Sequence, residues 1–187
     1  MISTALRAVP VMLALAGVGG DGLTAGGAPP NGALHPQWTE VQWPFPIDQW
    51  GPGRAFRCGA AACGATVTVY LRPKIGFCNC AKGVYDDAEL DRVGDVELIG
   101  PRFAGLGNGQ AVTVGWMKGR RRPFIVTGPY QAPSAAAAIA FNDKCDVVVA
   151  TVIATADLAR GERAALSFLK TDLVLQWARA ELGSDGS

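Results

Sequence analysis

Histidine is almost missing from this sequence: among 187 residues only His35 is one. Ser-His or Cys-His catalysis needs an imidazole beside its nucleophile. Here that would require the segment around His35 to fold back over the chain. His35 is read instead as a solvated side chain in a mobile arm, residues 29–37. With one imidazole, a soft-metal site would have to be built from thiolates. An excess of charge of one sign is also missing. Lys+Arg number 17 and Asp+Glu 16, so no basic surplus points to nucleic acid. No G-x-S-x-G elbow is present to anchor a hydrolase reading. No internal repeat is visible, and no later apolar run is long enough for a transmembrane helix. The longest, residues 147–156, is bounded by Asp146 and Asp157 and predicts a buried strand.

The first 28 residues have the form of a secretory signal peptide. Arg7 supplies the one positive charge of residues 1–7, residues 8–17 are mostly apolar, and Gly26-Gly27-Ala28 offers a cleavage region before Pro29. Export would put the remaining chain in an oxidising periplasmic or extracellular setting. Gly17-Val18-Gly19-Gly20-Asp21-Gly22 fits G-x-G-x-x-G letter by letter. A dinucleotide site needs a strand before that motif and a helix after it, and neither is signalled.

Four of the five cysteines fall within residues 54–80. Thr66-Val67-Thr68-Val69-Tyr70-Leu71 is rich in β-branched and aromatic residues and predicts a strand. If residues 54–58 pair with it across a four-residue loop, Cys58 and Cys63 face each other at disulfide distance. Cys78 and Cys80, spaced i and i+2, point to one face of an extended chain, and a bridge between them would close a strained ring. One of the two is expected to reach Cys145. Cys78 lies nearer the strand run and is the expected partner, which leaves Cys80 free. The alternative is a copper or zinc site using Cys78, Cys80 and Cys145, although C-x4-C and C-x-C are not zinc-finger spacings.

Val41, Trp43, Phe45 and Ile47 alternate with Gln42, Pro44, Pro46 and Asp48. This period of two predicts an edge strand or covering arm, with the prolines kept off the ladder. Trp38, Trp43 and Trp50 are read as core or edge cover rather than as the lining of a ligand groove. Asp86-x-x-Glu89 is a capping-box pattern and predicts a short helix. The surrounding carboxylates lack the EF-hand loop pattern for Ca²⁺ and suit a helix start. Residues 95–99 and 111–116 read as strands joined through Asn108-Gly109, a hairpin signal.

Lys118, Arg120, Arg121 and Arg122 form a basic run next to a predicted strand, 123–126. The run is a possible anion-binding group and otherwise a solvated hairpin turn. Ser134 is placed to cap a helix over 135–141, which is made of strong helix formers. Residues 145–155 predict a long buried strand. Ala165, Leu169, Leu173, Trp177 and Ala180 then mark one face of a C-terminal helix opened by Asp157 or Gly161, with Thr171-Asp172 as a kink or restart. Gly183 ends that helix, and residues 184–187 read as a disordered tail.

These elements predict an α+β fold: a mostly antiparallel sheet with short helices, and a long C-terminal helix packed on one face, in one domain over 29–183. Three phrases, Gly76-Phe77-Cys78-Asn79-Cys80, Trp116-Met117-Lys118-Gly119-Arg120 and Asn142-Asp143-Lys144-Cys145-Asp146-Val147, carry a resemblance. The chain resembles a family of small exported alphaproteobacterial proteins with no assigned function. The resemblance implies a periplasmic setting and no activity. The expected function is a non-enzymatic exported protein, stapled by disulfides and without a cofactor, that binds or supports another envelope component. A periplasmic soft-metal carrier is the alternative.

Overall fold

The strand signal at Val67 continues further than the β-branched run itself. In a computed structural model, which describes residues 37–128 and 132–183, this strand is β3 (Val67–Lys74). β2 (Arg54–Cys58) pairs with it antiparallel, Phe56 opposite Val69. β2 reaches only as far as Leu71 on β3, so Pro73 falls where that neighbour has ended, a position a proline tolerates. The signal-peptide segment 1–28, the arm up to residue 36 with His35, and the tail 184–187 lie outside the described residues.

The remaining strands are β1 (Trp38–Val41), β4 (Arg102–Gly105), β5 (Gln110–Val114), β6 (Met117–Thr127), β7 (Ser134–Asp143) and β8 (Asp146–Ala154). They build one eight-stranded sheet in the order β1-β2-β3-β8-β7-β6-β4, and β5 also pairs with β6. Every pairing is antiparallel. The helices are short: α1 (Ala60–Cys63), α2 (Asp87–Val93), α3 (Leu158–Leu169) and α4 (Asp172–Glu181), with a 3₁₀ turn at Val96–Leu98. The sheet therefore agrees with the expected antiparallel α+β arrangement. Among the described residues no helix is long and apolar enough to cross a membrane.

Successive strand residues point to opposite faces, and this sheet buries both. Val67, Val69 and Leu71 of β3, Val148, Ala150 and Val152 of β8, and Ile139 and Phe141 of β7 form one core with Ala165, Phe168 and Leu169 of α3 and Val174 and Ala178 of α4. Val147 and Val149, with Ala136, Ala138 and Ala140, form a second core with Leu90 and Val93 of α2 and with Val96. The expectation of helices on one face is corrected accordingly: α3 and α4 cover one side, α2 and the 3₁₀ turn the other.

Several local expectations give way to tertiary context. Residues 135–141 are the middle of β7 rather than a helix. Helix propensity is a weak prior, and β7 gains ladders on both sides from β6 and β8. Its alanines keep both faces of the central strand low, so a helix can approach from either side. Residues 95–99 turn into the 3₁₀ segment instead of a strand. β4 and β5 do not form the Asn-Gly hairpin. They line up one after the other along β6, Gly105 opposite Phe124 and Gln110 opposite Arg121. The alternating segment 41–47 is strand only at its start. Trp43 and Phe45 then pack edge-on against each other and Tyr70, while Ile47 is exposed.

The C-terminal helix is two helices. Asp157 caps α3, accepting the Arg160 N–H at 3.0 Å. Thr171 ends that turn by donating its hydroxyl to the Phe168 carbonyl at 2.7 Å. The break shifts the helical phase, so Val174, Ala178 and Leu182 face the core and Leu173 is 51% exposed. The predicted face through Leu173 is corrected on this point. Asp86 caps α2 as its pattern suggested, accepting the Glu89 N–H at 2.8 Å. Gly183 follows α4 with a φ of 61°, the left-handed conformation glycine accepts at a helix end.

Candidate functional site

The cysteines sort into two bridges and one thiol. Cys58 is joined to Cys63, with Cα atoms 6.0 Å apart. The pairing agrees with expectation, but its frame does not. Cys58 stands opposite Val67 in the ladder, and Cys63 ends the single turn of α1. The second bridge joins Cys80 to Cys145, and Cys78 is the free, buried cysteine. The expected Cys78–Cys145 pair is thus corrected.

The reason is a bend that sequence spacing could not supply. Cys78 donates its backbone N–H to the Cys145 carbonyl at 3.0 Å and so runs past it. Asn79 Oδ1 then accepts the N–H groups of Ala81 and Lys82, both at 3.0 Å. That turn carries Cys80 over Cys145 and directs Cys78 inward. Burial, with the Glu89 and Asp146 carboxylates nearby, pushes the Cys78 thiol up to about 11. The three-thiolate reading of Cys78, Cys80 and Cys145 meets a bridge between two of its members. Among the described residues no cluster of three or more His, Cys, Asp or Glu side chains could hold a metal ion.

The basic run is not a turn, and its three arginines are engaged within the fold. It lies within β6, whose alternation sends Arg120 and Arg122 to one face and Arg121 to the other. Arg120 Nε bonds Asp87 of α2, and its Nη2 donates to the Gly109 carbonyl at 3.0 Å. Arg122 donates to Asp91 at 2.8 Å and to the Gly107 carbonyl at 2.8 Å. Arg121 reaches Glu162 of α3 at 2.6 Å and also bonds Gln110. Lys118 is exposed. Three arginines in sequence thus tie one strand to a helix on each side of the sheet. Carboxylates, Gln110 and backbone carbonyls take up donors from all three arginines.

Sequence reasoning did not find the buried ion cluster on β3. Arg72 and Lys74 are 2% and 3% exposed, and Asp95 is 2% exposed. Arg72 grips Asp95 with two donors, at 2.9 and 2.6 Å, and gives a third to Asp48 at 2.7 Å. Lys74 Nζ lies 2.7 Å from Asp95 and donates to the Val93 carbonyl at 2.8 Å, at the end of α2. Trp43 lies over the Arg72 guanidinium, and Trp50 and Phe77 lie against the Lys74 ammonium. Burial pushes the Asp48 carboxyl up, but the Trp50 amide and the Arg72 and Lys74 cations outweigh it and hold the group below its ordinary value. The cluster closes on itself as a clasp between β3, the end of α2 and the segment around Asp48. Its only sequence signal is the continuation of the Thr68-x-Tyr70-x-Arg72-x-Lys74 alternation through Pro73.

Among the described residues, one corner of the second face is left uncovered. A groove of about 400 Å³ runs there between Thr66, Thr68 of β3, Ser134 of β7 and Thr155, with Ile99 and Ile153 as its apolar wall. Arg57 of β2 stands at its side and also borders a second hollow of about 420 Å³ with Thr39, Val41 and Ala62. Among the described residues, Arg57 is the only charged side chain lining either one. A guanidinium beside several hydroxyls and an apolar wall can hold an acceptor-rich group by hydrogen bonds and seat an apolar portion next to it. No sequence pattern singled out Arg57, because its surroundings come from β1, β2, β3, β7 and β8. The chain matches no protein-family model and no curated protein.

Proposed function

We propose that this chain is a non-enzymatic exported protein that binds another component of the cell envelope. The observation that carries the binding part is the uncovered corner of the sheet around Arg57, where hydroxyls, one cation and an apolar wall converge. The two disulfides support the export part, because such bridges persist in oxidising compartments. The form of residues 1–28 and the resemblance to small exported proteins agree with it. The soft-metal alternative has less support, since four of the five thiols are consumed in bridges.

A photo-crosslinking residue placed at Thr66, in the groove, tests the binding part in intact cells. The same probe at exposed Leu173, on the other side of the sheet, is the comparison. The reading requires an adduct at position 66 that is absent at 173 and lost on Arg57→Glu. Equal labelling from both positions overturns it. Intact mass of protein from the envelope tests export independently: about the first 25–30 residues should be gone.

A further inference from the structure

Three sulfurs share one end of the β7–β8 hairpin. Cys145 lies in its turn and is bonded to Cys80. Cys78 is fastened to the same turn: its N–H donates to the Cys145 carbonyl at 3.0 Å, and its Sγ donates to the Lys144 carbonyl at 3.3 Å. The two candidate partners of Cys145 differ in direction and in burial. Cys78 is 6% exposed and Cys80 is exposed. The link between them, Asn79, is held by local bonds, its own turn and the Glu89 carboxylate that accepts its N–H at 2.8 Å. Residues 78–80 belong to no strand or helix.

We propose that Cys78 and Cys80 exchange as partners of Cys145, so that the chain contains a thiol–disulfide switch whose second state presents Cys80 as a surface thiol. The Cys78 thiol first loses its proton to water or hydroxide. The thiolate attacks the Cys145 sulfur, the Cys78–Cys145 bond forms as the Cys80–Cys145 bond breaks, and Cys80 leaves as a thiolate that takes up a proton. One thiol and one disulfide stand on each side of the reaction, so no oxidant or reductant is consumed.

The groups around Cys78 set its pace. Burial and the carboxylates of Glu89 on α2 and Asp146 on β8 disfavour the thiolate, and Arg92 on α2 favours it; the net effect places the thiol at about 11. Only the thiolate attacks. The resting state therefore persists at neutral pH and exchange speeds up in base, by about tenfold per pH unit below that value. Opening the contact between Asn79 and Glu89 would act in the same direction, by letting residues 78–80 move.

The test uses the oxidised full chain, alkylated with iodoacetamide without denaturant and mapped without reduction. The expected result is label accumulating on Cys80 together with a Cys78–Cys145 cross-link, faster at pH 9 than at pH 7 by about a hundredfold. Cys78→Ser should abolish the Cys80 label. Cys80→Ser should oxidise to a Cys78–Cys145 bridge and retain no free thiol. Label confined to Cys78, no label at all, Cys80 labelled equally fast in Cys78→Ser, or two free thiols in folded Cys80→Ser would each overturn the switch. If Cys80→Ser does not fold, the mapping of the unaltered chain and of Cys78→Ser decides.

Discussion

Arg121 on β6 and Glu162 on α3 meet at 2.6 Å across the face of the sheet, and the glutamate is 6% exposed. The arginine is thus the counter-charge of a carboxylate that the helix has carried out of water. Its neighbours Arg120 and Arg122 reach Asp87 and Asp91 of α2 on the opposite face, where the carboxylates keep part of their contact with water. A basic run that the sequence offered as an anion-binding group or a solvated turn ties a strand to two helices.

Removing one partner should therefore cost more than removing both. Arg121→Ala leaves Glu162 buried without its cation and should lose about 2–3 kcal/mol in urea unfolding. Arg121→Leu combined with Glu162→Leu should lose clearly less. If the single variant is no worse than the double, the pair is not what holds α3 in place.

The broken C-terminal helix predicts a contrast between two leucines four residues apart. Leu169 is fully buried and Leu173 is half exposed. Leu169→Ala should cost about 2–5 kcal/mol, whereas Leu173→Ala should stay within about 0.5 kcal/mol. Similar losses at both positions would mean that α3 and α4 run as one helix with a common buried face.

The low alanine surface of β7 should resist enlargement. Ala138 is fully buried in the core beneath α2. Ala138→Leu is expected to cost about 1–3 kcal/mol through overpacking. A variant that melts at the unaltered temperature would show that α2 has room to retreat.

Acid should weaken the fold through carboxylates whose folded values are depressed. The Arg120 side chain, and then the Gly109 amide, hold Asp87 below its ordinary value of 3.8. Arg92 does the same for Glu89 relative to 4.5. In both cases the unfolded chain takes up the proton first as pH falls. Their stabilisation is fully present above those ordinary values and is lost as pH drops through the lower folded ones. Unfolding measured from about pH 5 to about pH 2 should lose stability over that window, and Asp87→Asn should flatten the slope. An unchanged slope in that variant would remove Asp87 from the account.

Features that depend on neighbours along the chain were legible in advance. The run at Thr66 to Leu71 and the apolar stretch after Asp146 became central strands because branched side chains at a period of two suit a pleat wherever they lie. The caps at Asp86 and Asp157 involve an amide three residues away. The Cys58–Cys63 ring closes over a separation of 5.

Other features waited for the tertiary structure, because the deciding partner is distant in sequence. Cys80 and Cys145 are 65 residues apart, and the bend at Asn79 rather than spacing chose between two thiols. Residues 135–141 have a local preference for helix that two flanking ladders overrule. The arginines of β6 carry charge in the sequence, but whether that charge is offered to a ligand or spent on Asp87, Asp91 and Glu162 depends on where α2 and α3 pack. Arg57 became the edge of a groove only when its strand assembled with four others, and among the described residues no helix covers that corner. Local sterics and short-range hydrogen bonds are written residue by residue, so the sequence alone determined β3 and β8, the two caps and the first bridge. Long-range pairing has many alternatives of similar local energy, and only the packed sheet with its two covers selected among them.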